Sequence, residues 1–218
     1  MKIKLAYPKI PDTLNCPLKQ CVAFEKYDGT NMHWDFDKYH FVSFGTRRDS
    51  FSFDEEGMKS FAMAHPEIKD APKVFDRLPL EDLLFTYHSG MKATLFTEYV
   101  GPNSFAGQHN PKDKMRHVII DVMKGDKFFA PDKFLDMFES EWAVEHGRSK
   151  LDYARPVFKG KFTGQLFVDV RKGKYDVKEG VVVKGVVGGE VYMAKIKTEA
   201  YLEKLKTEFK DKWKDYWE

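Results

Sequence analysis

At residues 24–31 the chain reads Phe-Glu-Lys-Tyr-Asp-Gly-Thr-Asn, with apolar residues before it and Met-His-Trp after it. This pattern predicts a strand that turns sharply at Gly29 and continues as a second strand. Lys26 lies two residues before Asp28 and close to the turn, so its amine is a candidate covalent nucleophile toward a phosphorus or carbonyl carbon. The alternative is a surface hairpin whose charged side chains are only solvated.

Composition leaves the class of partner open. The 218 residues include 36 lysines and arginines and 34 aspartates and glutamates, and this net charge of +2 neither demands nor excludes a nucleic acid. The two cysteines, Cys16 and Cys21, exclude a four-thiolate zinc site and argue against a disulfide framework. The sequence shows no signal peptide and no apolar run of membrane-spanning length. We therefore expect a soluble, intracellular, cytoplasmic protein with no membrane partner.

Hydrophobic patterning predicts an α+β protein with a single domain over residues 1–218. Strand patterns occur at residues 22–44, 91–100, 117–122, 179–184 and 191–197. Helical patterns occur at residues 54–88, 131–146 and 198–218. The glycines of residues 185–189 predict a hairpin turn rather than a phosphate-binding loop, because no helix start follows them. The helix at residues 198–218 is amphipathic, and its lysines either stay solvated or contact phosphates.

Two lysines in the last strand pattern indicate a charged site. Strands place alternate side chains on one face, so Lys195 and Lys197 are expected to point the same way. Glu179 opens the preceding strand, and a hairpin brings it close to this pair. Inward-facing lysines need anionic partners, which carboxylates or phosphates can supply. The alternative is a lysine pair on a solvated strand face.

Six motifs follow one another along the chain. They are residues 26–31, Arg47 in a turn, residues 96–101 with Glu98, residues 120–122 with Asp121, residues 179–184 and residues 195–197. The series resembles that of the covalent nucleotidyltransferases, which include ATP-dependent DNA ligases, RNA ligases and messenger-RNA capping enzymes, over about residues 22–197. Asn31 ends the first motif, as asparagine does in the RNA-ligase branch. DNA ligases and capping enzymes usually have arginine at that position. Residues 98–102 look like the corresponding stretch of phage-type double-strand RNA ligases.

Similarity to ATP-dependent RNA ligases of this group implies a nucleotidyltransferase (ligase adenylation) fold. Antiparallel sheets would be flanked by helices, with the nucleotide in a central cleft. The resemblance implies ATP, a divalent metal (Mg²⁺ or Mn²⁺) and a covalent lysyl-AMP intermediate. AMP would pass to an RNA 5′-phosphate, and a 3′-hydroxyl would then seal the strand, at free ends or at a nick in a duplex, as in RNA repair.

The resemblance also assigns roles to residues. Those with catalytic roles are Lys26, Asp28, Asn31, Lys195 and Lys197. Those expected to bind ATP are Glu25, Lys26, Arg47, Glu98, Ile120, Glu179, Lys184, Lys195 and Lys197. Glu179 would also hold the metal or its waters.

Physical chemistry supports several of these roles. Lys195 and Lys197 would favour the neutral amine of Lys26 and neutralise the triphosphate. The resemblance places Glu98 on the ribose hydroxyls, and backbone around Glu25 and Lys26 on the adenine edge. Arg47, with Arg48 as the competing choice, would reach a sugar or a 5′-phosphate through its forked guanidinium. Asn31 would position the AMP–RNA phosphate.

The sequence departs from the family pattern at two places. Ile120 stands where the family usually has an aromatic side chain against adenine. About twenty residues follow Lys197, too few for an appended oligonucleotide-binding domain, so we expect either slow sealing or the help of an accessory RNA-binding partner. Two alternatives remain open: a DNA ligase or capping-type guanylyltransferase on the same scaffold, and a nucleic-acid-binding module with weak or no catalysis.

Overall fold

A computed structural model describes residues 5–81, 84, 92–102, 113–147 and 150–216. The chain divides into two compact units, and each contains one antiparallel sheet. The first unit comprises Met1–Pro8 and Gly29–Tyr153, and the second comprises Lys9–Asp28 and Ala154–Glu218. The prediction of a mixed fold with antiparallel sheets and helices is confirmed, whereas the grouping of all residues into one domain stays a prediction.

The sheets of the two units are built from ten strands within the described residues. These are β1 (Gln20–Lys26), β2 (Thr30–Asp37), β3 (His40–Thr46), β4 (Phe51–Ser52), β5 (Ala93–Val100), β6 (Arg116–Lys124), β7 (Lys127–Phe128), β8 (Pro156–Lys161), β9 (Gly180–Val187) and β10 (Glu190–Lys197). The first unit holds a sheet of order β4-β3-β2-β5-β6-β7, and the second a sheet of order β10-β9-β1-β8.

The described helices are short. The α-helices are α1 (Glu55–Ala64), α2 (Ala71–Phe75), α3 (Pro131–Glu139), α4 (Glu141–Glu145), α5 (Gly164–Arg171) and α6 (Glu199–Phe209). Two 3₁₀ helices cover Pro66–Ile68 and Lys210–Tyr216. Within the described ranges, no helix has the length and apolar character needed to cross a membrane.

Aromatic side chains form the core of the first unit. Trp34 of β2 is fully buried and stacks on Phe75 of α2, with ring centroids 3.5 Å apart. Its indole N–H donates to the Thr97 hydroxyl at 2.9 Å, so the one polar atom of this large ring is satisfied. This core supports the middle of the six-stranded sheet, and the candidate site residues of this unit lie at one end of the same strands.

The sheet of the second unit has two chemically different faces. Ala23, Val181, Ala194 and Ile196 point to one face, where they pack with Leu166 and other apolar residues of the same unit. Because side chains alternate along a strand, their neighbours in sequence point to the opposite face. That opposite face carries the lysines described below.

The structure corrects the hairpin expected around Gly29. Strand β1 belongs to the sheet of the second unit and β2 to the sheet of the first, so the two strands are not paired with each other. Gly29 does not have a positive φ. A Cβ there would instead meet the Tyr99 carbonyl oxygen at 2.3 Å, so glycine is required by close backbone approach within the first unit.

Other predicted elements are confirmed with changed limits. The hairpin of β9 and β10 turns at Gly188 and Gly189, both with positive φ. The helix expected over residues 131–146 is interrupted at Ser140, whose extended backbone ends α3 and whose hydroxyl caps α4. The amphipathic helix is α-helical only to Phe209 and continues as a 3₁₀ helix. The parts of the predicted elements at residues 82–83, 85–91 and 217–218 lie outside the described residues.

Candidate active site

A group of lysines shares one face of the second unit's sheet. Lys26 of β1 and Lys197 of β10 both lie directly opposite Gly180 of β9, and Lys195 lies opposite Val182. Directly opposed residues of an antiparallel pair point to the same face, so these three side chains share it. Distant parts of the chain therefore meet at one place, as the motif order predicted for Lys26, Lys195 and Lys197.

Glu179 is the counter-ion of this group. The Lys26 ammonium lies 2.8 Å from Oε2 of Glu179, and the Lys197 ammonium lies 3.4 Å from Oε1. The Glu179 side chain is 2% exposed, that of Lys197 is 6% exposed, and that of Lys26 is 24% exposed. Lys26 is thus the most accessible member of a buried ion-pair network, which suits a group that must react with an incoming molecule.

Crowding of like charges weakens proton binding by these lysines. Burial, reinforced by the ammonium groups of Lys197 and Lys26, lowers the pKa of Lys195 to about 8. Burial also lowers the pKa of Lys197, although the Glu179 carboxylate opposes the shift. A cluster of this kind favours the arrival of an additional anion, because each further negative charge relieves repulsion among the ammonium groups.

A glycine is needed where the network is formed. A Cβ on Gly180 would lie 2.0 Å from the backbone oxygen of Ile196, which is a hard clash. The backbones of β9 and β10 therefore approach closely beside Glu179 and Lys197. The Glu-Gly pair that opens β9 is thus explained by local geometry.

The second unit also contains the other predicted residues of this half of the motif series. Lys184 is buried on the lysine face, with its ammonium 5.1 Å from the centre of the Phe24 ring. The Glu25 carboxylate pairs with Arg155 at 2.9 Å, and its backbone N–H donates to the Arg155 carbonyl. This N–H is therefore already committed, and the predicted adenine contact would fall to other backbone groups near Lys26.

Two residues that the sequence analysis missed support the cluster from α6. Thr198 caps this helix, accepting from the Tyr201 N–H at 3.2 Å, and its own N–H donates to the Glu179 carbonyl at 2.9 Å. The Tyr201 hydroxyl donates to Oδ1 of Asp28 at 3.3 Å. A capping threonine before a helical pattern was a readable signal for Thr198, whereas nothing in the sequence linked Tyr201 to a residue 173 positions earlier.

A second cluster lies at the end of β2, β3 and β5 in the first unit. Asn31 lies directly opposite Glu98, and its amide donates to that carboxylate at 3.5 Å. The Gly29 N–H donates to the other oxygen of Glu98 at 3.2 Å. Met32 pairs with Thr46, so Arg47 follows directly after the residue opposite Met32. Asn31, Arg47 and Glu98 thus belong to one end of the same sheet.

Two buried polar atoms of this second cluster have no hydrogen-bond partner among the described residues. Oδ1 of Asn31 and Nε of Arg47 are buried and make no hydrogen bond within the part of the chain that the structure describes. Leaving a buried polar atom unsatisfied costs about 1–3 kcal/mol, so such atoms are uncommon in folded proteins. Both belong to residues that the motif series assigns to nucleotide or RNA contacts, and a polar ligand would satisfy them.

The turn that carries Arg47 is held firmly in place. The Ala6 N–H donates to the Arg47 carbonyl at 2.9 Å, and Asp49 accepts from both the N–H and the hydroxyl of Thr46. Burial alone would raise the pKa of Asp49, but its hydrogen bonds to Thr46 and His65 outweigh this and lower the pKa. Arg48 is exposed in the same turn, whereas Arg47 is partly buried, and which of the two contacts a ligand stays a prediction.

Ile120 occupies an irregular position in β6. Phe96 pairs with Asp121 and Thr97 pairs with Ile119, so Ile120 is the extra residue of a β-bulge. Bulges re-aim side chains and are common beside active sites. Asp121 is buried and accepts a hydrogen bond from the Tyr7 hydroxyl, and burial together with this carboxylate raises the pKa of Tyr7. Tyr7 was not singled out from the sequence.

The prediction that Glu179 holds a divalent metal can be compared with the side chains available to bind one. Within the described residues, no group of three or more His, Cys, Asp or Glu side chains could hold a metal ion. Glu179 presents one carboxylate, and both its oxygens contact lysines. Mg²⁺ is commonly held by one or two carboxylates, with water and substrate phosphates completing the shell. The residues present therefore fit a metal that arrives with a phosphate-bearing substrate, and do not form a preformed protein cage.

The predicted site residues thus form two clusters. The second unit holds Glu25, Lys26, Asp28, Glu179, Lys184, Lys195 and Lys197, and the first holds Asn31, Arg47, Glu98 and Ile120. Their catalytic and binding roles remain predictions. The geometry gathers Lys26, Glu179, Lys195 and Lys197 on one face of the second unit's sheet, and Asn31, Arg47 and Glu98 at one end of the first unit's sheet.

Comparison with known proteins identifies the fold. Neither a protein-family model nor a curated protein sequence matches the chain. Solved structures of Naegleria gruberi RNA ligase do match: a variant with ATP and Mn at a TM-score of 0.60 and 13% identity, and a variant with AMP and Mn at 0.62 and 14%. A third, the RNA ligase with PPi, matches at 0.60 and 14%.

These matches cover 94–95% of this chain, but the chain spans only 59–60% of the length of the RNA ligase chains. At this low identity the likeness concerns the fold. The chain has a mixed fold of helices and antiparallel sheets similar to that of an RNA ligase.

Proposed function

We propose that this chain is an ATP-dependent RNA ligase that works through a covalent AMP on Lys26. Within the RNA ligases, we propose that it resembles the phage-type double-strand RNA ligases. The observation that carries the proposal is the Lys26 amine, which lies 2.8 Å from the buried Glu179 on a sheet face shared with Lys195 and Lys197. The likeness of the fold to RNA ligases that bind ATP, AMP and PPi supports the same chemistry.

The first step is nucleophilic substitution at phosphorus. The neutral amine of Lys26 attacks the α-phosphorus of ATP, and a P–N bond forms. The bond from that phosphorus to the oxygen bridging to the β-phosphorus breaks, and pyrophosphate leaves with the electron pair. The amine loses a proton to solvent, and the product is a lysyl-AMP phosphoramidate. Lys195 and Lys197 balance the charge that moves onto the leaving pyrophosphate.

Glu179 holds the amine before reaction. A carboxylate 2.8 Å from the Lys26 nitrogen orients it and can accept hydrogen bonds from it in either protonation state. Because the phosphates of ATP bring several negative charges, they compete with Glu179 for the lysines. When a divalent metal is bound, it adds charge neutralisation at the phosphates, and Glu179 is the residue of the cluster that would hold it or its waters.

The first unit's cluster would bind the rest of the nucleotide and the RNA end. We assign Glu98 to the ribose hydroxyls, and Arg47, whose buried Nε makes no hydrogen bond within the described residues, to a sugar or 5′-phosphate. Asn31, whose buried Oδ1 likewise makes no hydrogen bond to a described residue, would position the AMP–RNA phosphate. Ile120 would lie beside the base.

The two later steps consume the adenylate. The RNA 5′-phosphate attacks the phosphorus of lysyl-AMP, the P–N bond breaks, and Lys26 recovers its amine. The RNA 3′-hydroxyl then attacks the activated 5′-phosphate, forming the phosphodiester and releasing AMP. RNA repair at a nick or a break is the process that such an activity would serve, and an accessory RNA-binding partner would supply affinity for the strand.

Labelling of the protein tests the proposal. Incubation with α-³²P-ATP and Mg²⁺ or Mn²⁺ should leave covalent label on the wild-type chain that survives denaturing gel electrophoresis, and Lys26→Ala should abolish it. Lys172→Ala, which removes an exposed lysine of the same unit, is the matched control and should label normally. Label retained on Lys26→Ala would refute the assignment of the nucleophile.

Substrate assays separate the remaining alternatives. A capping-type guanylyltransferase would be labelled by α-³²P-GTP in preference to ATP, and a DNA ligase would seal a nicked all-DNA duplex faster than a nicked RNA strand. A binding module without chemistry would retain RNA in a gel-shift assay but carry no label with either nucleotide. ATP labelling together with sealing of RNA is the combination expected here.

A further inference from the structure

The first turn of α6 contacts the backbone beside Glu179 and the carboxylate of Asp28. Thr198, the residue that caps the helix, donates its N–H to the Glu179 carbonyl at 2.9 Å and its hydroxyl to the Lys178 carbonyl at 3.0 Å. Tyr201, one turn into the helix, donates its hydroxyl to Oδ1 of Asp28 at 3.3 Å. All these residues belong to the second unit, so the contacts are internal to one compact body.

Tyr201 also lies against Lys197, the buried lysine that pairs with Glu179. The Lys197 ammonium is 4.9 Å from the centre of the Tyr201 ring, within the range of a cation–π contact. The ring is 7% exposed, and Leu202 and Leu205 of the same helix are buried as well, so the helix holds the ring firmly. One side chain thus contacts a carboxylate through its hydroxyl and a lysine through its face.

The Tyr201 hydroxyl keeps its proton and so can always donate a hydrogen bond to Asp28. Burial, together with the nearby Glu179 and Asp28 carboxylates, raises the pKa of Tyr201, so the phenol stays protonated across the physiological range. A protonated phenol beside a carboxylate can only satisfy it by donating. Asp28 therefore has a fixed partner, and its second oxygen keeps a defined direction.

Resting on the proposed function, we infer that Tyr201 is a positioning residue for AMP transfer to Lys26. It holds Asp28 and Lys197 in the arrangement that the reaction needs, and through it α6 becomes part of the nucleotidyl-transfer site. A tyrosine that only filled the core would contribute through its ring alone, and its hydroxyl would be dispensable.

Removal of the hydroxyl tests this inference. Tyr201→Phe keeps the ring and its contact with Lys197, and removes the hydrogen bond to Asp28. We expect the single-turnover rate of protein adenylylation at saturating ATP to fall by about tenfold to a hundredfold, the range typical when an outer partner of a functional group is lost. The KM for ATP and the melting temperature should change little, because the ring still fills its place.

Tyr192→Phe is the matched control. Tyr192 lies on β10 and packs against the apolar side of the same sheet, away from the lysine face. Its variant should label at the wild-type rate. A double-mutant cycle with Asp28→Asn adds a second readout: if the two side chains act together, the combined rate loss should be well below the product of the single losses.

The outcomes distinguish failure of the proposed ligase activity from failure of the role inferred for Tyr201. A wild-type chain that takes no label from ATP would overturn the proposed function and this inference together. Normal labelling of the wild type with an unchanged rate for Tyr201→Phe would overturn the inference alone. Rate losses that multiply independently in the double variant would also overturn it, since they would show that the hydroxyl does not act through Asp28.

Discussion

The strongest test of the lysine cluster is the substitution Glu179→Gln. Glutamine keeps the shape of the side chain but removes the negative charge that pairs with the Lys26 and Lys197 ammonium groups at 2.8 and 3.4 Å. Breaking a buried ion pair by removing one partner costs about 3–5 kcal/mol. Because Lys26 is 24% exposed and water can reach its ammonium, the lower end of about 3 kcal/mol applies.

This loss is large enough to measure. For a chain of this size, 1 kcal/mol shifts the melting temperature by about 2–4 °C, so a drop of about 6–12 °C is expected at pH 7. Glu208→Gln is the control, because Glu208 is an exposed carboxylate of α6 and its loss should leave stability within about 0.5 kcal/mol. Thermal unfolding followed by circular dichroism compares the three proteins.

The pH dependence of the stability loss in Glu179→Gln tests whether the loss comes from charge. Without the carboxylate, folding forces lysines to stay close together, and the folded protein binds fewer protons than the unfolded chain. Stability of the variant must then rise with pH, because the unfolded state holds more protons. The pKa of Lys195 is already lowered to about 8, so the deficit relative to wild type should shrink between pH 7 and pH 9.5. A deficit that stays constant with pH, or equals that of Glu208→Gln, would refute the charge argument.

Three further substitutions test single features of the two clusters. Gly180→Ala should lower the free energy of unfolding by about 1–3 kcal/mol and abolish labelling, because its Cβ would lie 2.0 Å from the Ile196 backbone oxygen. Gly164→Ala is the control: its Cβ would enter open space, so unfolding assays should show no change. Lys195→Arg should move the alkaline fall of the labelling rate constant, measured at low ATP, from near pH 8 to higher pH, because arginine keeps its proton. Arg47→Met should leave the melting temperature unchanged or raise it while nucleotidyl transfer falls, because it removes an unsatisfied buried nitrogen; lower stability with normal transfer would contradict this.

The regular elements were predictable where the signal is local. Alternation in residues 180–197 and the glycines between the strands were sufficient to predict the hairpin of β9 and β10 and the shared face of Lys195 and Lys197. Limits were less predictable. Ser140 interrupts the helix expected over residues 131–146, although a serine followed by Glu-Trp-Ala is itself a helix-start signal that could have been used.

The pairing of β1 was not predictable, because it depends on contacts far along the chain. Its partners are β8 and β9, more than 130 residues later, while the strand that follows it in sequence joins another sheet. Local patterning at Gly29 fits a hairpin equally well. What distinguishes the two is the approach of the Tyr99 backbone to Gly29, which only the folded structure reveals.

Groups that touch a substrate are restricted to fewer residue types than the groups that support them, so only the former could be predicted from the sequence. A reaction at phosphorus restricts the groups that touch the substrate to a few residue types, so Lys26, Glu179 and Lys197 stand at recognisable positions. The side chains that hold those groups are less restricted, since a tyrosine hydroxyl is one of several ways to fix a carboxylate, and a threonine cap is one of several ways to fix the backbone beside one. Tyr201 therefore cannot be found from the sequence, and only its contacts with Asp28 and Lys197 in the folded structure reveal it.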